Sequence, residues 1–178
     1  PEAVERELQA MAPDAHGLTL LPFLAGERST GWVAAARAAV VGASLATRPV
    51  DLVRATLETV AYRFALIHAL LAEACPGAQE VVATGGALAA SPAWTRIMAD
   101  VLGVPVRPSR EPEASSRGAA LLALEALGAL PSLAAAPAGF GPTVVPDPGR
   151  HARYREGLAR HRRLYELLIP FYTRRSAA

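Results

Sequence analysis

Glu80–Val81–Val82–Ala83–Thr84–Gly85–Gly86–Ala87–Leu88–Ala89–Ala90–Ser91–Pro92 decides how the rest of this chain is read. Val81, Val82 and Ala83 form the short apolar run of a parallel strand buried on both faces. Gly85 and Gly86 punctuate it. Ser91 can cap a helix and Pro92 suits that helix's first turn. Trp94, Ile97, Met98, Val101 and Leu102 then recur at helical spacing. The order is strand, glycine turn, helix. A glycine pair permits positive φ and lets a nucleotide lie against main-chain N–H groups. A tight turn with no ligand would use the same residues, so the remainder of the chain has to decide.

Outward from this stretch, strands are predicted near 19–23, 38–43, 80–84 and 104–107. Helices are predicted near 2–11, 50–75, 91–102, 114–127 and 150–171. Pro49 opens what reads as the longest helix, with Asp51 placed to favour the positive end of its dipole. Val104–Pro105–Val106 reads as an edge strand, since it holds a proline. Gly118, Ala119, Ala120 and Ala123 give helix 114–127 a small-residue face that would allow close approach to a neighbour. Residues 128–149, with five prolines, read as an irregular connection. The terminal helix, 150–172, carries an apolar stripe of Tyr154, Leu158, Tyr165, Leu168 and Tyr172 and is expected to pack on the domain. The alternation of strands and helices argues an α/β layer architecture.

The chain has 178 residues and is 52% hydrophobic, enough for a domain with a proper core. No uncharged apolar run reaches the roughly 20 residues of a membrane span, so no membrane is expected. All 18 basic residues are arginine, which excludes a phosphate loop built on lysine. Residues 1–149 carry a net −4 and residues 150–178 a net +6. A basic tail raises nucleic acid as a partner. The arginines interleave with the apolar stripe, so a solvated helix face is favoured and no nucleic acid is expected. The lone Cys75 cannot form an internal disulfide; it reads as a buried thiol, and a cytoplasmic protein follows. His16, His68, His151 and His161 lack metal-ligand spacing with one another or with Cys75, so no metal site is assigned.

Four stretches, taken together, resemble one family. Leu21–Pro22–Phe23–Leu24–Ala25–Gly26–Glu27–Arg28–Ser29–Thr30–Gly31–Trp32 resembles a loop of the FGGY carbohydrate kinases, most like the gluconate- and xylulose-kinase branches. Ala38 to Glu58, ending in Asp51–Leu52–x–x–Ala55–Thr56–Leu57–Glu58, resembles that family's second signature, with Ala43 where a larger aliphatic residue is usual. Thr84–Gly85–Gly86–Ala87 resembles its adenine-nucleotide glycine motif. Glu111 to Ala120 resembles the Glu-rich, Gly-Ala-Ala helix that follows.

The resemblance implies part of a ribonuclease H-like, actin-type ATPase domain: a mixed sheet flanked by helices. Residues 1–178 then correspond to the later part of the C-terminal, nucleotide-binding lobe. The implied activity is ATP- and Mg2+-dependent phosphoryl transfer to a sugar or sugar-acid hydroxyl, with gluconate the first guess. Xylulose, glycerol or another polyol is the alternative, and a non-catalytic actin-like or nucleic-acid-binding domain a further one. The implied cofactor-binding residues are Thr84, Gly85, Gly86, Ala87 and Ala90. Ala90 stands where some members place a polar side chain for adenine, which leaves backbone and shape to hold the base. The family's catalytic aspartate and phosphate-gripping hairpin align before Pro1, so no catalytic residue is assigned, the sugar is expected on the upstream lobe, and an open sheet edge is expected here. A homodimer is left open. Glu27 and Arg28 read as an ion pair within their own loop, Arg37 as structural, Trp32 and Trp94 as packing residues, and Asp100 as solvated.

Overall fold

The structure is a computed structural model that describes residues 2–77 and 80–176, with side chains through Arg174. In chain order it contains α1 (Glu2–Ala10), β1 (Thr19–Leu21), β2 (Ala39–Val41), α2 (Pro49–Ala74), β3 (Val81–Ala83), α3 (Gly86–Ala90), α4 (Pro92–Leu102), β4 (Val106–Pro108), α5 (Ala114–Ala126), a 3-10 turn at Leu133–Ala135 and α6 (Pro148–Ser176). The expected elements are present, with boundaries shifted by a few residues. At 29 residues α6, not α2, is the longest helix.

The core lies where α2, α4 and α6 meet. Ala61 and Tyr62 of α2, Ile97, Met98 and Val101 of α4, and Tyr154 of α6 form one buried cluster. The 3.6-residue period brings Ile97, Met98 and Val101 to one side of α4. Strand β1 inserts between α2 and α6 and alternates as a strand must. Leu18 and Leu20 meet Ala55 of α2, while Leu21 and Phe23 meet Leu164, Tyr165 and Leu168 of α6. The terminal helix therefore packs on the domain through Tyr154, Leu158, Tyr165 and Leu168 of the stripe read in the sequence.

The strands form two separate two-stranded sheets, not one mixed sheet. Strands β1 and β2 pair antiparallel, Leu20 opposite Val40; β3 and β4 pair parallel, Val82 opposite Arg107. Each strand is three residues long and finds one partner strand among the described residues. Residues 128–149 are less irregular than expected. Val144 and Phe140 bridge antiparallel to Val106 and Ser109.

Burial departs from expectation where a sheet face lacks a cover. Ala83 is buried, Val81 is half-buried, and Val82 is 43% exposed, because α4 covers one face of β3 only. Val40 and Val41 of β2 point to opposite faces, and both are exposed. Helix α5 buries no residue, and a Cβ placed on Gly118 would meet nothing within 4 Å, so its small-residue face has no neighbour among the described residues. Cys75 is exposed at the end of α2. By length and composition alone α2 could cross a membrane. Its buried side carries Arg54, Glu58 and Arg63, each tied to another element, which makes it the polar-laced core helix of this domain.

Candidate functional site

The glycine turn follows β3 directly. Gly85 adopts φ +110°, a conformation that side chains rarely adopt, and Gly86 begins α3. A Cβ at either glycine would meet nothing within 4 Å. The space above the turn opens into a cleft of about 350 Å³ lined by Gly85, Gly86, Ala89, Ser109, Arg110 and Glu111, among others. Thr84, Ala87 and Ala90 are exposed like the two glycines. They do not share this cleft: Thr84 faces an apolar groove toward α2, and Ala90 faces α1 beside Glu2, Glu5 and Arg6. Of the five residues read as cofactor-binding, the structure brings Gly85 and Gly86 together in one cleft.

Ser91 fixes the far end of the turn's helix. It closes α3, its N–H donating to Leu88 O at 3.3 Å, and caps α4, its Oγ accepting from Trp94 N at 3.1 Å. Thr95 Oγ1 donates to Leu88 O at 3.1 Å, tying the two helices again. Neither Glu5 nor Thr95 was legible as part of this arrangement. Glu5 arrives from α1, and its Oε1 accepts from Ala93 N at 2.7 Å.

Three of the buried carboxylates, Glu58, Glu27 and Asp100, tie distant elements of the domain together. Glu58, the last residue of the second signature, is fully buried. It accepts from Arg54 Nε at 2.6 Å and His16 Nε2 at 3.0 Å, and from the Tyr154 hydroxyl at 3.2 Å. Burial works against its charge, but His16 and Arg54 outweigh that, so its pKa lies below the usual carboxylate value. Arg54 also donates to Leu8 O at 2.6 Å and Tyr154 Oη at 2.7 Å. Glu27 pairs with Arg63, not Arg28, and takes further bonds from Tyr165 Oη at 2.6 Å and Gly31 N at 3.2 Å. Burial raises the Glu27 pKa, but these donors outweigh it and leave it lowered; burial and the bond to Glu27 push Tyr165 up to about 12. Asp100 is fully buried, not solvated: it accepts from Arg150 Nε at 2.7 Å and Asp147 N at 2.9 Å. Arg37 holds its own loop through Ala34 O and Ala36 O, Trp94 packs on the core, and Trp32 is 73% exposed with φ +56°.

Asp14, His16 and Glu58 bring three ligand-type atoms within 4.8 Å of one another. Arg54, Arg153 and Arg160 already pair with these carboxylates, so their charge is answered and the cluster is a poor seat for a cation. At the glycine cleft the one lining carboxylate, Glu111, is paired with Arg117 at 3.1 Å. Neither place fits Mg2+. The open backbone at Gly85–Gly86 does fit a flat, uncharged ring.

The domain is thus of α/β type, with a glycine-turn cleft beyond a parallel strand pair. Residues 2–127 match the C-terminal domain of the FGGY family of carbohydrate kinases. The chain belongs to that family. It is 30% identical over 161 residues, 90% of its length, to a gluconokinase from Bacillus licheniformis. It is 36% identical over 143 residues, 76% of its length, to a glycerol kinase from Alkalilimnicola ehrlichii. The solved xylulose kinase from Rhodospirillum rubrum superposes on 97% of the chain with a TM-score of 0.79 and 33% identity. The chain spans 30%, 29% and 35% of these three proteins respectively.

Proposed function

We propose that this chain contributes the adenine-nucleotide site of a cytoplasmic kinase that phosphorylates a sugar or sugar acid, gluconate before xylulose or glycerol. The observation that carries the reading is the bare Gly85–Gly86 backbone opening onto a cleft of about 350 Å³. ATP supplies the phosphoryl group when bound. The chain's own part is to seat the base against the turn, orient it through α3, and shield it from water along Ser109–Glu111. In this reading the ribonuclease H-like scaffold is completed, Mg2+ held and the sugar bound by the rest of a longer polypeptide. The catalytic base lies outside residues 1–178, so these alone turn over no sugar. Gluconate stands first because the gluconokinase alignment runs through 90% of the chain. Xylulose is second, on the 33% identity to the solved xylulose kinase.

The test has two arms. Gly86→Val should weaken ATP binding at least about tenfold, because the added side chain enters the space assigned to the base, while circular dichroism stays native because that space is open. Unchanged ATP affinity would remove the site from the turn. The kinase assembled with its upstream lobe, assayed with ATP, Mg2+ and a sugar panel, should favour gluconate; preference for xylulose or glycerol would replace the substrate, and no turnover with any would overturn the reading.

A further inference from the structure

The glycine turn is held on one side by the covalent chain of β3, and the far end of its helix, Ser91, is reached by a side chain 86 residues away. Glu5 Oε2 accepts from the Ser91 hydroxyl at 2.8 Å, and Glu5 Oε1 from Ala93 N at 2.7 Å. Gln9, one turn along α1, donates to Glu5 Oε1 at 3.1 Å and orients the carboxylate. Ser91 in turn accepts from Trp94 N, so the bonds run from Gln9 through Glu5 and Ser91 into the backbone of α4. Two amides at the start of α4 are thus satisfied by groups that both depend on Glu5. The negative charge also sits at the positive end of the α4 dipole.

Ser91 is at once the C-cap of α3 and the N-cap of α4. Helix α3 has five residues, Gly86–Ala90, and none of them is buried. Little besides the Leu88 contacts and this polar joint holds it. Fixing the Ser91 hydroxyl fixes the C-terminal end of α3 and, through a single helical turn, the orientation of Gly86.

We infer that Glu5 is the positioning residue of the glycine turn: from α1 it sets the Ser91 joint that aims α3 and the Gly85–Gly86 backbone. It touches no part of the proposed nucleotide cleft and acts through Ser91. Burial opposes its charge, and the Ala93 amide, the Ser91 hydroxyl and Gln9 outweigh it, so the carboxylate is held ionised below its ordinary pKa. For the nucleotide, this inference rests on the function proposed above; for the turn itself it does not.

Hydrogen exchange on the 178-residue chain separates the two. In Glu5→Ala the amides of 86–95 should exchange about five- to tenfold faster, as expected when a cap is lost, while α2 and α6 stay at native rates. Glu5→Gln, which keeps one acceptor, should fall between. Faster exchange confined to α1, with 86–95 unchanged in both variants, would overturn the inference. Faster exchange everywhere in both would show a general stability role and overturn it as well. An ADP titration of the same proteins reads the second link. If Gly86→Val abolishes native binding, Glu5→Ala should raise the Kd about threefold to tenfold and Glu5→Gln less. If native protein binds no ADP, or Gly86→Val leaves binding intact, the nucleotide reading fails while the exchange result still decides the role of Glu5.

Discussion

Helices α2 and α5 are both rich in alanine and leucine, yet α2 buries nine residues and α5 none. Five of the nine are polar: Asp51, Arg54, Glu58, Thr59 and Arg63. What distinguishes the two helices is partners rather than hydrophobicity. On α2, guanidinium and carboxylate groups reach α1, β1's flanks and α6, and every such bond fixes an orientation as well as a distance. On α5 and its cap, Leu122, Leu124 and Leu127 remain exposed, and among the described residues Arg117 reaches Glu111 and the backbone of Pro137. An apolar or small-residue pattern states what can be buried; a satisfied buried charge shows what is. The glycine turn lies on the α5 side of this divide, where backbone is left open.

The contrast is broken most forcefully at Glu58. Glu58→Ala strands the buried Arg54 guanidinium and should cost about 3–5 kcal/mol in a urea titration. A loss under 1 kcal/mol would show that the α2 network adds geometry without stability. Acid should break the same side by another route. His161 is 1% exposed, its Nδ1–H donates to Leu20 O at 2.8 Å, and burial, with Arg63 and Arg162 nearby, lowers its pKa to about 4. The folded protein then refuses a proton that the unfolded chain takes up near pH 6.5. Stability from His161 is whole above 6.5, falls as pH drops toward 4, and levels below it, a change on the order of 3 kcal/mol. His161→Leu should flatten that part of the pH dependence, measured against the native slope.

A smaller effect is expected at Gly157, where α6 lies directly on the Tyr62 hydroxyl. Gly157→Ala overpacks this contact and should destabilise by about 1–3 kcal/mol. The smallest effect, and of opposite sign, belongs to α5. Gly118→Ala meets open space in an exposed helix and should stabilise by about 0.4–1 kcal/mol. A destabilising Gly118→Ala would reveal a neighbour for α5 and erase the comparison.

Element type was legible in the sequence because it depends on local signals. Pro49, Ser91–Pro92 and the 3.6-residue stripes of α4 and α6 each place a helix without reference to the rest of the chain. The packing of Tyr154 and Tyr165 followed from the same stripe. Burial of single residues was less legible. Asp100 and Glu27 look like surface carboxylates until Arg150 and Arg63, 50 and 36 residues away, come to meet them. One available signal was the Arg54–Glu58 pair at i, i+4, which interrupts the buried side of α2 with opposite charges. Val82 was misread because an apolar strand is assumed covered on both faces, whereas cover depends on which elements arrive. At the candidate site, the glycine pair was plain from composition. Thr84 lies before the turn and Ala90 at the end of α3, and they face different grooves, which spacing does not record.

Helix α4 is a strut pinned at both ends. Its first turn is fastened to α1 by Glu5, and its last by Asp100 to Arg150 and by Gly103, where a Cβ would lie 2.6 Å from the His151 ring. At 1.5 Å per residue its eleven residues span about 16 Å. Between those bearings the rod cannot rotate without Ile97, Met98 and Val101 leaving their seats. Because Ser91 is the one residue between the two helices and caps both, there is no slack between the rod and the glycine turn. One residue inserted after Ser91 would swing the turn by about 100° around the axis, at the helical step per residue, with every core contact of α4 intact.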